Sequence, residues 1–150
     1  MIQRIIFSLI FFTNIYALDI KDTNEIFTVK SEDKFEDAYL NLKNEIIHNG
    51  FIIVHELDLA KSTGKVAEAF EKNAVFNKAK NIMICKSTLT LEMHEENIEN
   101  ITYCPMVISV YEYENTAYVS YRKYHKYNSS NFINQKINKL LKDLVLKSMD

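Results

Sequence analysis

The two cysteines of this sequence offer the most readily tested chemistry. Cys85 and Cys104 are the only cysteines in the chain, and they enclose the segment KSTLTLEMHEENIENITY. Such a pair can form a disulfide, act as a thiol redox couple, bind a soft metal, or pack as two small buried side chains. The chain contains neither a CxxC nor an HExxH motif that would choose among these roles. All four interpretations therefore remain open from the sequence.

Methionine and histidine residues near the cysteines define a candidate metal site. Met83 precedes Cys85 by two positions, Met106 follows Cys104 by two positions, and His94 lies between the cysteines. Alternate positions of a strand share a face, and thiolate and thioether ligands suit Cu(I). Methionines at such positions also pack in ordinary cores. We therefore keep Cu(I) binding as an alternative, and the sequence identifies no cofactor.

A third use of the cysteines would be nucleophilic catalysis. A catalytic thiol needs a neighbouring base, and His55 and His94 are the candidates in the central part of the chain. The sequence places neither histidine against Cys85. An unidentified Cys/His enzyme is therefore a further alternative, and the sequence shows no other recognisable catalytic constellation.

Tyrosines are concentrated in the segment YEYENTAYVSYR, residues 111–122. A tyrosine ring can be buried while its hydroxyl stays wet, which suits a ligand surface or a dimer interface. Aromatic residues interleaved with basic ones can also stack on single-stranded nucleic acid. The net charge of −2 argues against electrostatic capture of nucleic acid. We expect a small-ligand or interface surface that includes Tyr111, Tyr113, Tyr118 and Tyr121.

Residues 1–17 have the pattern of a secretory signal peptide. Arg4 precedes the apolar run IIFSLIFF, and the segment ends at the small residue Ala17. Thr13 and Asn14 interrupt the apolar run, which is then too short to span a membrane stably. We expect cleavage after Ala17 and export, in a bacterial cell to the periplasm. A thiol pair can be oxidised and stay oxidised in such a compartment.

Residues 18–150 are predicted to form a single domain, because only two glycines and one proline occur and no linker-like stretch divides the chain. Between residues 59 and 80 we expect only one or two short helical turns. Periodicity predicts a mostly antiparallel α+β fold with two principal helices on one side of the sheet. The predicted strands are 25–30, 51–57, 81–85 and a hairpin of 105–113 and 117–122; the predicted helices are 35–47 with Ser31 as N-cap and Gly50 as stop, 88–97, and a terminal helix capped by Ser129 or Ser130.

Four of these elements carry a family resemblance that covers roughly residues 35–121. They are the helix that ends before Gly50-Phe51, the strand into Glu56-Leu57-Asp58, the strand that ends at Cys85, and the hairpin that begins at Pro105. Together they resemble the bacterial and archaeal family described as domain of unknown function 302. The resemblance implies a TBP-like fold, in the order strand-helix-four strands-helix, and association as a homodimer. It implies no particular activity.

The cysteines match that family only in part. Many members carry Cys-Asn-Pro after the third strand and Leu-Pro-Cys before the next one. Here Cys85 is followed by Lys86-Ser87, and Cys104 stands before Pro105 instead of after it. A shift of one residue at the start of a strand can turn a side chain to the opposite face. The sequence as a whole favours a non-enzymatic small-ligand-binding or accessory module, with thiol redox or Cu(I) chemistry as the alternative.

Overall fold

The structure is a computed structural model that describes residues 18–125 and 132–149. The predicted signal peptide and the predicted cap at Ser129 or Ser130 lie outside these residues, so both stay predictions. None of the described helices is long and apolar enough to cross a membrane. The described strands are β1 Ile20–Asp22, β2 Ile26–Lys30, β3 Ile52–Asp58, β4 Ala79–Cys85, β5 Met106–Tyr113 and β6 Thr116–Arg122; the helices are α1 Phe35–His48, α2 Leu59–Ala69, α3 Ser87–Glu96 and α4 Phe132–Lys147, with a 3-10 helix at Ile98–Tyr103.

The strands form one antiparallel sheet in the order β1-β2-β6-β5-β4-β3. This arrangement confirms the predicted α+β class. The helices α1 and α4 contact each other and several of the strands, and their apolar sides belong to the same core cluster as the sheet. We call the side of the sheet against these helices the covered face and the opposite side the open face.

The covered face is apolar and buried where the central strands pack against the helices. Phe27 and Val29 of β2, Ile108 and Val110 of β5, and Val119 of β6 have no exposed surface. Burying one such side chain stabilises a fold by about 1.5–3 kcal/mol relative to exposing it. The helices add Phe35, Ala38, Leu42 and Ile46 from α1, Leu89 and Met93 from α3, and Ile133, Ile137, Leu141, Leu144 and Val145 from α4.

The first long helix was predicted correctly except for its N-cap. The α1 helix begins after Lys34, which makes no side-chain cap hydrogen bond. The expected cap, Ser31, lies three residues earlier, and its hydroxyl accepts a hydrogen bond from the Asp33 N–H at 3.1 Å. At the other end Gly50 adopts φ +75°, the left-handed conformation that favours glycine.

The segment after β3 is more regular than its sequence predicted. It forms one helix, α2, of 11 residues, and the Asp58 carboxylate accepts a hydrogen bond from the Lys61 N–H as its N-cap. The α2 helix buries none of its side chains. The expectation of one or two short turns was wrong, because a good N-cap outweighed the cost of Gly64 inside the helix.

The hairpin of β5 and β6 was predicted correctly, and its turn sets the register of the whole site. Glu114 and Asn115 both have positive φ, at 49° and 61°, as a two-residue type I′ turn requires. Thr116, expected in the turn, begins β6 opposite Tyr113. This register pairs Tyr111 with Tyr118 across the two strands.

Candidate functional site: the open face of the sheet

The open face differs from the covered face because successive side chains of a strand point to opposite sides. In β5, Ile108 and Val110 lie in the core, so Ser109 and Tyr111 lie on the open face. Register then places open-face residues of neighbouring strands side by side. One such row is polar and crosses five strands: Lys21, Thr28, Ser120, Ser109 and Asn81.

The polar row contains two cross-strand pairs of hydrogen-bonded side chains. The Ser120 hydroxyl donates to the Phe27 carbonyl at 3.1 Å and lies 2.8 Å from the Thr28 hydroxyl, within hydrogen-bonding distance. The Ser109 hydroxyl donates to the Asn81 side-chain oxygen at 2.7 Å. Thr28 and Ser120 are each only 9% exposed. Buried hydroxyls therefore form an ordered polar floor on this face.

An aromatic row lies next to the polar one. Tyr111 and Tyr118 stack with ring centroids 5.3 Å apart and planes 17° apart. Phe76, from the loop after α2, meets Tyr111 edge-on at 5.7 Å. Burial raises the pKa of Tyr111, the neighbouring Tyr118 raises it further, and a hydrogen bond with Thr28 opposes the shift. The Tyr111 hydroxyl therefore stays protonated at neutral pH.

These two rows border a cavity of about 660 Å³ that we call the open-face cavity. Its walls come from the β1 side of the sheet and from α2 with the loop that carries Phe76. Ligand sites of proteins are typically concave, with volumes of about 300–1,000 Å³ and a few polar groups among apolar ones. Its lining includes Thr28, Phe76, Ser109, Tyr111, Tyr118 and Ser120, together with Lys21 from β1 and Lys30 from β2.

The four tyrosines predicted to form a binding surface are divided by the structure. Tyr111 and Tyr118 line the open-face cavity. Tyr113 lies beyond it near the hairpin turn and is 51% exposed. Tyr121 lies on the covered face, is 3% exposed, and donates a hydrogen bond from its hydroxyl to the Asn138 carbonyl at 3.0 Å. Tyr121 is therefore a core residue, because it is an odd number of positions from Tyr118 in the same strand.

The hydroxyl residues of the polar row were missed by the sequence analysis. Thr28, Ser109 and Ser120 each stand inside a strand whose flanking residues are buried and apolar. A hydroxyl inside such an apolar run is the signal that could have identified them. The neighbouring Phe76 comes from an irregular loop and carried no comparable signal.

The two cysteines meet at the ends of neighbouring strands. The strands β4 and β5 are antiparallel partners, and Cys85 at the end of β4 comes close to Cys104 just before β5. Their Sγ atoms lie 2.7 Å apart, and both residues are free thiols. The Thr90 hydroxyl lies 3.3 Å from Cys85 Sγ and 3.7 Å from Cys104 Sγ. Burial, and then the neighbouring Cys85, raise the pKa of the Cys104 thiol.

Of the predicted soft-metal ligands, the structure brings the two cysteines together but separates the two methionines. Met83 lies on the open face, opposite His55 of β3 and Val107 of β5. Met106 is fully buried on the covered face, so the pleat of the sheet separates the two methionines. Within residues 18–125 and 132–149, no cluster of three or more His, Cys, Asp or Glu side chains could hold a metal ion.

Among the described residues, neither of the histidines proposed as catalytic bases is hydrogen-bonded to a thiol. His55 is exposed on the edge strand β3. His94 Nε2 is buried in α3 and has no hydrogen-bond partner among the described residues. The hydrogen bonds of the described thiols join them to each other and to Thr90. This part of the chain therefore contains no assembled Cys/His nucleophile and base.

Comparison with known proteins agrees with the resemblance read from the residues. The fold is similar to the crystal structure of an uncharacterized conserved DUF302 protein from Bacillus stearothermophilus, with a TM-score of 0.69, 12% sequence identity, and coverage of 84% of this chain and 99% of that one. At that identity the similarity shows the fold alone. The search of curated proteins found no match. The profile of the domain of unknown function DUF302 matches residues 27–146, from β2 into α4, and the chain therefore belongs to the DUF302 family.

Proposed function

We propose that this protein is a non-enzymatic small-ligand-binding module and that the open-face cavity holds the ligand. The observation that carries the proposal is the row of buried hydroxyls next to the stacked Tyr111 and Tyr118. A sheet needs one apolar face to fold against its helices, and the covered face supplies it. Ordered hydroxyls and stacked rings on the other face add little to that core, which supports a role in recognition.

The composition of the cavity favours a planar ligand with polar edges. Aromatic rings stack well on tyrosine faces, and the hydroxyls of Thr28, Ser109 and Ser120 can exchange hydrogen bonds with such edges. Lys21 and Lys30 line the same cavity, with Asp19 as the acidic residue among its lining. Lys80 also lines the cavity, and three cations against one anion favour a ligand that carries negative charge.

The test uses an aromatic anionic probe, 1-anilinonaphthalene-8-sulfonate, whose naphthalene ring can stack and whose fluorescence rises in an apolar site. We expect saturable binding to the wild-type chain. The substitution Ser109→Trp places a large ring in the cavity and is expected to weaken binding by at least about tenfold, the equivalent of 1.4 kcal/mol.

A matched control separates cavity filling from a general effect of tryptophan. Thr88 is exposed in the first turn of α3, away from the cavity lining, so Thr88→Trp should leave probe affinity unchanged. Near-ultraviolet circular dichroism checks that both variants keep native packing. Equal affinity of the two variants would remove the open-face cavity as the site.

Export after cleavage of residues 1–17 and assembly as a homodimer complete the proposal. Exposed apolar side chains on and near α2 support a second copy as partner: Val66, Phe70 and Val75 are 56%, 70% and 73% exposed. Surface of this kind is typical of association sites when it is contiguous. The ligand proposal does not depend on either feature.

A further inference from the structure

The contact between Cys85 and Cys104 is independent of the open-face cavity. Their Sγ atoms are 2.7 Å apart. Even the smaller carbon atoms keep a separation of about 3.5–4.0 Å when they are not bonded. The two sulfurs are thus already within the range in which a small side-chain rotation makes a covalent bond.

The α3 helix between the cysteines is anchored in the core by Leu89 and Met93, whereas the 3-10 helix that follows it is held less firmly. The 3-10 helix Ile98–Tyr103 buries none of its side chains, and Ile98 and Ile101 are 71% and 58% exposed. The described hydrogen bonds from its side chains to other elements run from Asn100 to the Met93 carbonyl at 2.9 Å and from the Tyr103 hydroxyl to the His125 carbonyl at 3.1 Å. A covalent link at Cys104 would therefore change how firmly this helix is held.

We propose that Cys85 and Cys104 form a modification site, a dithiol that is reversibly oxidised to a disulfide by small-molecule disulfides and thereby fastens the 3-10 helix to the end of β4. The segment that the bond closes, residues 86–103, contains α3 and the 3-10 helix. Closing such a loop removes conformational freedom from the opened states more than from the folded one.

The reaction is thiol–disulfide exchange in two steps. The thiolate of one cysteine attacks a sulfur of the small disulfide, forms a mixed disulfide, and releases one small thiol. The second cysteine, as thiolate, then attacks the mixed disulfide at the protein sulfur and releases the second small thiol. The protein loses two S–H bonds and gains one S–S bond, and the oxidant takes up the two electrons and two protons.

Thr90 lies next to the cysteine pair. Its hydroxyl contacts both sulfurs and also lies 3.1 Å from the Lys86 carbonyl, which holds it in the first turn of α3. Because burial raises the pKa of the Cys104 thiol, the oxidation rate should increase with pH across the alkaline range.

The first experiment exposes the purified reduced chain to excess oxidised glutathione and then alkylates the remaining thiols. We expect an intact mass that has lost two hydrogen atoms, no alkylated cysteine, and reversal by dithiothreitol. Two alkylatable thiols at equilibrium would overturn the proposal. A persistent glutathione adduct on one cysteine would overturn it as well, because the second sulfur would then be out of reach.

The second experiment measures amide hydrogen exchange of residues 98–103 in the oxidised and reduced chains. We expect exchange to slow by at least about tenfold on oxidation, while α1 amides keep their rates. The variant Cys85→Ser/Cys104→Ser should exchange like the reduced chain whether or not oxidant is present. Equal exchange in both wild-type forms would overturn the anchoring role, and loss of probe binding in the open-face cavity would bear only on the proposed function.

Discussion

The two faces of the sheet are made by the same strands but carry different kinds of side chain. On the covered face, residues such as Phe27, Ile108 and Val119 are fully buried against helices. On the open face, the neighbours of those residues in sequence are Thr28, Ser109 and Ser120, which hydrogen-bond across strands. Folding requires the buried apolar residues, whereas the hydroxyl residues form hydrogen bonds next to a cavity. The contrast indicates that the covered-face residues of each strand stabilise the fold, whereas its open-face residues are available for recognition.

The largest expected difference between the faces concerns stability. Ile108→Ala removes a fully buried side chain and should lower the free energy of unfolding by about 2–5 kcal/mol. Ser109→Ala, at the next position of β5, removes one hydrogen bond to Asn81 and should cost about 1 kcal/mol or less. Urea denaturation followed by circular dichroism measures both. Similar losses for the two variants would mean that both faces stabilise the fold equally.

Alkaline pH should sharpen the comparison, because each face holds a tyrosine with a raised pKa. Burial is the largest cause for both Tyr111 on the open face and Tyr121 on the covered face, followed by Tyr118 for the first and by Asp22 for the second. The folded state keeps these protons at a higher pH than the unfolded state does. Its stabilisation is therefore complete below the ordinary tyrosine pKa of 10.0 and decreases as the pH rises above that value. For each proton retained only in the folded state, the free energy of unfolding should fall by about 1.4 kcal/mol per pH unit.

Phenylalanine variants test this assignment. Tyr121→Phe and Tyr111→Phe should each make the free energy of unfolding less dependent on pH above 10, with the larger effect for Tyr121, whose hydroxyl is the more strongly shifted. Urea denaturation at a series of alkaline pH values gives the slopes. Unchanged slopes in both variants would show that other groups control alkaline unfolding.

The smallest expected effect lies within the polar row. Thr28→Val and Ser120→Ala each remove one hydroxyl of a buried pair 2.8 Å apart. A double-mutant cycle should give a coupling energy of about 1 kcal/mol, the usual size for a hydrogen bond of this kind. The same cycle on Ser109 and Thr28, which are not hydrogen-bonded to each other, is the control and should give a value near zero. Equal coupling in the two cycles would contradict a specific bond.

Sequence periodicity predicted the covered face well because apolar alternation records burial directly. The hairpin and the helices α1 and α4 all carry that signal. The short strand β1 carries none, since Ile20, Lys21 and Asp22 are all exposed, and it was missed. The 3-10 helix was missed for the same reason, because none of its side chains is buried.

The open face was harder to predict because it depends on which strands become neighbours. Thr28 and Ser120 are 92 residues apart in sequence, and no local pattern joins them. Tyr121 shows a different failure, since counting positions from Tyr118 along β6 would have separated the two tyrosines. Met83 and Met106 likewise lie on opposite faces, whereas Cys85 and Cys104 meet because β4 and β5 are antiparallel neighbours, a pairing that the sequence alone left open.

The position of the Thr28–Ser120 pair has a consequence for how ligand and fold depend on each other. The β5–β6 hairpin closes over a two-residue turn, but β2 can join β6 only after the intervening chain has been brought back. Bringing these distant segments together costs conformational entropy before the contacts between them form. The floor of the open-face cavity therefore exists only in the completed sheet. A ligand that occupies it binds that state alone and, by mass action, raises the ratio of folded to unfolded molecules by a factor of one plus the ligand concentration divided by its Kd.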